Sequence, residues 1–143
     1  MSNRDTTFFR KGFTIIELLV VVAIIALIAS LVLVQFQVAR ARARDAQREH
    51  DIKTLQTALA LYVTNKGTFP VYSGPICPTM PCSDALSVAL LDESVLPGIP
   101  KDPVNTDVLI YSYVSAGSTY ALSYTLETDS IPGKSSGAQT ATP

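Results

Sequence analysis

The sequence predicts an α+β protein: a long N-terminal α-helix packed on a small antiparallel β-sheet head. Three observations predict this class. An apolar run extends from Phe13 to Val34 with Glu17 as its one charge. A stripe at helical spacing follows, and two segments of strand type lie near the C-terminus. With 143 residues, the chain holds one domain or one domain and an appendage.

Composition narrows the class of function. Charged residues make up 16% of the chain, whereas soluble domains average about 25%. The 11 Lys and Arg against 12 Asp and Glu give a net charge of -1, so no bulk field attracts nucleic acid. Two Cys and one His exclude a Cys₂His₂ zinc finger. Neither a nucleophile with a base nor a Gly-rich phosphate loop is apparent, so we expect no enzyme activity and no cofactor.

Residues 13–39 are predicted to form a transmembrane or filament-core helix. The run from Phe13 to Val34 would span about 33 Å as a helix, which matches a bilayer core of about 30 Å. Three interpretations remain: a cleaved secretory signal ending near Ala39-Arg40-Ala41, a plain single-span anchor, and a span that later becomes a protein–protein helix. Glu17 favours the last, because a carboxylate within a spanning helix costs about 2.5–3.5 kcal/mol.

Residues 40–66 are predicted to continue the helix as an amphipathic segment. No Pro or Gly interrupts positions 13–66, and Asn65-Lys66-Gly67 is a typical helix stop. Apolar residues recur at spacings of three and four: Ile52, Leu55, Leu59 and Tyr62. We interpret the arginines after the apolar run as solvated or facing lipid headgroups, with acidic partners along the helix: Arg40, Arg42, Arg44 and Arg48.

Residues 67–126 are predicted to form the globular head. Ser83 is expected to cap a short helix from about Asp84 to Leu91. Strands are predicted at Val108–Val114 and Thr119–Leu126, joined through positions 115–118. One face of the second strand should pack on the helix: Tyr120, Leu122, Tyr124 and Leu126. Residues 127–143 are rich in Ser, Thr, Gly and Ala, which predicts a flexible tail.

Cys77 and Cys82 are predicted to form a disulfide around Pro78-Thr79-Met80-Pro81. Free thiols and metal ligands are the alternatives. The single His and the four intervening residues argue against zinc. A disulfide would place the head in an oxidising compartment outside the cytoplasm.

The segment Arg10-Lys11-Gly12-Phe13-Thr14-Ile15-Ile16-Glu17 resembles the N-terminal signal of type IV prepilins and type II secretion pseudopilins. In that family a basic leader ends in Gly, an aromatic residue follows, and Glu stands at the fifth mature position. Gly67-Thr68-Phe69-Pro70 is similar to the segment that follows the pilin helix. The resemblance implies that a prepilin peptidase removes residues 1–12, cleaving after Gly12, and that Phe13 is then N-methylated. It implies that Glu17 pairs with the Phe13 amine of an adjacent subunit during assembly.

The resemblance also implies partners and a location. The partners are identical or related pilin subunits, the prepilin peptidase, a pilus or secretion assembly platform, and membrane lipid before assembly. The location is the bacterial cytoplasmic (inner) membrane, crossed once with the head outside, and then a cell-surface or periplasmic filament. Major pseudopilins of the family carry a calcium site, but their Trp-Gly-Asn stretch and Gly-rich acidic C-terminal loop are absent here. The oxygen ligands that remain for calcium are Asp102, Asn105 and Asp107.

The predicted function is that of a structural subunit of a type IV pilus-like filament. One alternative is a pseudopilin of a type II secretion or DNA-uptake system. A second is a monomeric, single-span, membrane-anchored binding module. Glu17 separates the filament subunits from the anchor, since only assembly requires the carboxylate.

Overall fold

The computed structural model describes residues 12–77 and 81–143, with the side chains of residues 31–34 left aside. The predicted leader up to position 11 and the Pro78-Thr79-Met80 part of the loop therefore lie outside the described residues. The chain divides between Val38 and Ala39 into an N-terminal unit and a C-terminal unit. The two helices are α1 (Ile15–Lys66) and α2 (Ala85–Asp92), and the strands are β1 (Tyr72–Pro75), β2 (Ser112–Ser115), β3 (Tyr120–Leu126) and β4 (Gly137–Ala141).

Helix α1 is unbroken from Ile15 to Lys66, as the absence of Pro and Gly predicts. It ends where predicted, at Gly67. This residue has φ of +79°, and its N–H donates to the Val63 carbonyl at 2.7 Å. The left-handed conformation is open to glycine without the clash of a Cβ, which explains the stop at this position.

The four strands form one antiparallel sheet in the order β1-β2-β3-β4. Burial alternates along β3 from Tyr120 to Leu126, so its inward and outward faces are those that the sequence predicts. The inward face packs on the second half of α1, where Ile52, Leu55 and Leu59 are fully buried. The predicted α+β class is thus confirmed.

The core lies between the second half of α1, the short helix α2 and the sheet. From α2 it takes Leu86 and Leu90, and the sheet side contributes aromatic and leucine side chains. Each such side chain contributes about 1.5–3 kcal/mol when taken fully from water. The buried members on the sheet side are Tyr111, Tyr113, Tyr120, Leu122, Tyr124 and Leu126.

The first predicted strand is too long at its start. Strand β2 begins at Ser112 rather than Val108, because the preceding residues form a turn. In that turn Asn105 and Asp107 both have φ of +52°, and Thr106 pairs with Leu109 as an isolated bridge. The β-branched and aromatic content of the segment indicated a strand, but the turn takes precedence.

The cap of α2 differs by one residue from the prediction. Asp84, not Ser83, is the N-cap, and its Oδ2 accepts from the backbone N–H of Ser87 at 3.0 Å. Its other oxygen accepts from the backbone N–H of Cys77 at 2.9 Å. A carboxylate gives each of these two donors an oxygen of its own, whereas a serine hydroxyl has a single oxygen, which explains the shift.

The prediction of a flexible tail over residues 127–143 is wrong. Residues 137–141 form β4 and pair with β3, from Leu122 opposite Ala141 to Leu126 opposite Gly137. The Gln56 side chain also donates to the Thr142 carbonyl at 3.0 Å. A strand with the sequence Gly-Ala-Gln-Thr-Ala has little β propensity of its own. Its order therefore comes from the backbone ladder that β3 offers.

Truncation of the chain after Ser136 tests the contribution of β4. We expect the free energy of unfolding of the C-terminal unit to fall by about 2–4 kcal/mol, because β3 loses its ladder of backbone hydrogen bonds. The measurement is urea unfolding of the full chain in detergent, followed by tyrosine circular dichroism. Removal of Pro143 alone is the matched control and should change little. Equal stability of the two variants would contradict the assignment.

Candidate processing and assembly site

The start of α1 is closed by a reciprocal cap between Thr14 and Glu17. The Thr14 hydroxyl accepts from the Glu17 backbone N–H at 3.3 Å. In return, the Glu17 carboxylate accepts from the Thr14 backbone N–H and from its hydroxyl, both at 2.9 Å. This is the capping-box arrangement, in which a Thr before the helix and a Glu three residues later satisfy each other's backbone donors.

Both contacts of the Glu17 carboxylate end on Oε2. Among the described residues no hydrogen bond reaches Oε1, so that oxygen can accept from a further donor. The surroundings are apolar, since Glu17 lies in a shallow groove with Phe13, Ile16, Val20 and Val21. An amine that reached this groove would meet a carboxylate already fixed in position.

The N-terminal unit exposes almost all of its apolar surface. The Phe13 side chain is 75% exposed and that of Ile15 84%. Within the part of the chain that the structure describes, α1 alone is long and apolar enough to cross a membrane, judged by length and composition. No residue of its most apolar stretch is buried within the chain. The exposed apolar side chains in the described part of this segment thus require an apolar environment from outside the chain.

Cys77 and Cys82 form the predicted disulfide. Cys77 is fully buried against the core, and Cys82 is half-buried. The disulfide and the two hydrogen bonds to Asp84 act on the same short connection between β1 and α2. Their effect is local shaping of this loop.

The three oxygen ligands offered by the sequence do not gather into one site. Asp102 is buried and turned toward α1, whereas Asp107 is exposed. The Asn105 backbone N–H donates to Asp102 Oδ1 at 3.2 Å, and the Val104 N–H donates to the same oxygen at 2.8 Å. Over residues 12–77 and 81–143, no group of three or more His, Cys, Asp or Glu residues is placed to hold a metal ion.

Asp102 belongs instead to a buried ion network around Arg48, which we call the Arg48 network: Arg44, Asp45, Arg48, Asp102 and Glu127. The Arg48 guanidinium is fully buried. Its Nε donates to Asp102 Oδ2 at 2.6 Å, and its Nη2 donates to Asp102 Oδ1 at 3.1 Å. Its Nη1 donates to Asp45 Oδ1 at 2.8 Å and to Glu127 Oε1 at 2.6 Å.

The acidic members of the network are satisfied from several sides. Asp45 accepts from the Glu127 and Thr128 backbone N–H groups at 2.9 and 2.8 Å, and Arg44 Nε donates to Glu127 at 2.7 Å. Burial tends to lower the pKa of Arg48, but hydrogen bonds to the three carboxylates outweigh it, and the pKa lies above its ordinary value. The hydrogen bond from Arg44, together with Arg48, lowers the pKa of Glu127 to about 2, against the burial that would raise it.

A second polar cluster joins the predicted tail to α1. Lys134 Nζ lies 2.6 Å from Glu49 Oε2 and 2.6 Å from the Tyr124 hydroxyl. Tyr124 itself donates to Glu49 at 3.0 Å. The segment after β3 is therefore held by side chains before β4 begins, which adds to the correction of the tail.

The sequence predicts a helix from Phe13 with Glu17 inside it. The helix begins instead at Ile15, and Glu17 caps it together with Thr14, a partner that sequence reasoning missed. The pattern Thr-x-x-Glu before an apolar run is a recognised signal and would have identified the cap. The prediction for Arg44 and Arg48 as solvated side chains is wrong for Arg48, which is fully buried, and incomplete for Arg44, which is paired with Glu127. Only Asp45, one turn before Arg48, was a visible signal, since the other carboxylates are far along the chain.

Comparison with known proteins supports the identification of the N-terminal motif. Residues 8–33 match the model of the prokaryotic N-terminal methylation motif. The chain is similar to the type II secretion system core protein G of Escherichia coli (strain K12), at 27% identity over 121 residues, which covers 76% of this chain and 81% of that protein. No solved structure matches the chain.

These findings confirm the resemblance to the type IV prepilin and type II secretion pseudopilin family. They support a pilin-like or pseudopilin role, which is structural in that family. The motif and the apolar helix together indicate anchoring in the inner membrane. The family implies association with other pilin subunits and with a secretion or assembly machinery.

The depressed pKa of Glu127 predicts acid sensitivity of the C-terminal unit. The folded state holds this pKa at about 2, against an ordinary value of 4.5, so at pH values between them the unfolded chain binds the extra proton. The contribution is complete above pH 4.5 and is lost as the pH falls toward 2. In Glu127→Gln, proton uptake on unfolding should fall by up to about one.

The measurement is urea unfolding of the full chain in detergent at a series of pH values. Asp107→Asn is the control, because this exposed carboxylate takes part in no ion pair among the described residues. It should retain the wild-type slope of stability against pH. A wild-type slope in Glu127→Gln would contradict the role assigned to the Arg44 and Arg48 contacts.

Proposed function

We propose that this chain is a structural subunit of a type IV pilus-like filament, processed after Gly12 and polymerised through its N-terminal helix. The observation that carries the proposal is a carboxylate held in position within the exposed apolar surface of the N-terminal unit. Its one described carboxylate, Glu17, is fixed at the helix start within an apolar surface that the chain itself leaves exposed. Such a surface suits a lipid bilayer first and a bundle of like helices afterwards.

Cleavage after Gly12 would create a positive α-amino group on Phe13, four residues before Glu17. Within an apolar bundle an unpaired carboxylate is costly, whereas a carboxylate that meets an amine is neutralised. Glu17 Oε1 offers an acceptor for that amine while Oε2 stays bound to Thr14. Pairing between neighbouring subunits would then set the axial register of the filament.

A pseudopilin of a type II secretion system is the second candidate function, and the comparison supports it. The similarity to the type II secretion system core protein G extends over 81% of that protein, well beyond the N-terminal motif. The head of this chain would lie outside the inner membrane, consistent with its disulfide. Its partners would be like subunits, a prepilin peptidase and an assembly platform.

Mass analysis of the native protein tests processing. We expect the chain recovered from membranes or from sheared filaments to begin at Phe13 and to carry one added methyl group. A chain that still begins at Met1, in a cell with an active prepilin peptidase, would leave only a single-span anchor. A start between Ala41 and Arg44 would indicate an ordinary secretory signal instead.

Substitution of Glu17 tests assembly. Glu17→Ala should reduce the subunit recovered in sheared filaments at least tenfold, as expected for loss of an interaction of about 1.4 kcal/mol or more. Its level in the membrane should stay the same or rise, because insertion becomes easier.

Ser30→Ala is the matched control for Glu17→Ala. It removes a polar group from the same helix, but the Ser30 hydroxyl donates to the Leu27 carbonyl of its own helix at 2.7 Å. This variant should assemble normally. Normal assembly of Glu17→Ala would refute the proposed role of the carboxylate and favour the anchored binding module.

A further inference from the structure

The oxygen ligands present in this chain do not fit the calcium site that the resemblance implies. Calcium takes about 6–8 oxygen ligands, with carboxylate lone pairs directed at the ion. Asp102 is the one fully buried carboxylate among the three offered ligands. The directions of its lone pairs therefore decide whether the site fits.

Both oxygens of Asp102 already face N–H donors. Oδ2 accepts from Arg48 Nε, and Oδ1 accepts from Arg48 Nη2 and from two backbone N–H groups. A calcium ion bound here would displace these donors and would lie beside a buried positive charge. Both changes are costly at a site from which water is excluded.

The other two candidates do not restore a ligand shell. Asp107 is exposed, and Asn105 contributes its backbone N–H, a donor, toward Asp102. Asp45 and Glu127, two further carboxylates nearby, face the same guanidinium as Asp102. Buried Asp51 accepts from the Tyr111 hydroxyl and the Gln47 amide. Asp45, Asp102 and Glu127 thus converge on Arg48 and are arranged for N–H donors.

We infer that Arg48 is the built-in cation of the C-terminal unit and that this unit folds and is stable without calcium. The guanidinium joins a residue of α1 to the loop before β2 and to the segment after β3. Two guanidinium groups face three carboxylates in the network, so a single negative charge is left and no divalent ion is needed for balance.

A covalently attached cation has a consequence that a bound ion lacks. Stabilisation by a free ion depends on its concentration through mass action, whereas Arg48 is present at every calcium concentration. Its planar fork of N–H donors also matches a carboxylate in two-point contact, as seen with Asp102. The inference concerns the fold of the C-terminal unit and stands whether or not the chain assembles into a filament.

The test is thermal unfolding of the full-length protein in detergent, with a calcium chelator or with millimolar calcium. We expect the Tm of the wild type to be the same in both conditions to within about 1 °C. The double variant Asn105→Ala and Asp107→Ala, which removes the remaining calcium ligands, should behave in the same way. A Tm that falls with chelator and recovers with calcium would overturn the inference.

Substitution of Arg48 tests the cation directly. Arg48→Ala should lower the Tm by about 10 °C or more, because three carboxylates lose their shared partner. Methylguanidinium in the low millimolar range should restore part of this loss, while urea at the same concentration, a neutral molecule of similar shape, should not. A wild-type Tm in Arg48→Ala would overturn the inference.

Arg48→Lys covers the case in which Arg48→Ala does not fold. It keeps the positive charge but loses the two-point contact with Asp102, so its Tm should lie between those of wild type and Arg48→Ala. Stabilisation of Arg48→Lys by calcium to the wild-type Tm would contradict the assignment. The chelator experiment on the wild type needs no variant and decides the matter independently.

Discussion

The C-terminal unit depends on the burial of one guanidinium. An unpaired charge of this kind would destabilise the fold by several kcal/mol, so Arg48 can be buried only when its partners are in place. Those partners come from α1 itself, from the loop that holds Asp102, and from the segment that begins at Glu127. Helix, loop and post-β3 segment therefore become ordered together. The apolar core supplies most of the stabilisation, and the ion network fixes which residue of the helix faces which part of the sheet.

The two units of the chain differ in whether their apolar side chains are buried within the chain. The C-terminal unit buries a core of leucine, isoleucine and tyrosine side chains and pairs the buried charge of Arg48 internally. The N-terminal unit leaves its apolar side chains exposed over residues 13–28. A single helix, α1, supplies both surfaces, and its sequence changes from apolar on every side to apolar on one stripe. The change of pattern indicates a change of surroundings. A segment that is apolar on every side suits lipid or other apolar helices, whereas a single apolar stripe suits a sheet on one side and water on the other.

Sequence reasoning succeeded where a local pattern specifies the outcome. Helix α1, its stop at Gly67 and the faces of β3 all follow from periodicity or from one residue with special backbone freedom. It failed where the cause lies far along the chain. Strand β4 forms because β3 offers a partner for its backbone. Arg48 is buried because it pairs with Asp102 and Glu127, which lie 54 and 79 residues further along the chain. A run of alternating charges is typical of a solvated helix face, and the distant partners cannot be seen in the local sequence. The sequence therefore predicts that Arg48 lies at the surface.

Glu17 and Arg48 show opposite solutions to the same problem of a charge in apolar surroundings. Arg48 finds full compensation within its own chain, which leaves the C-terminal unit complete as it stands. Glu17 is compensated only by its neighbour Thr14 and through one oxygen among the described contacts. The apolar surface around it is likewise left exposed by the described part of the chain. Under the proposed function, a processed second copy of this chain would bring a positive group on an apolar helix and so remove both deficits together.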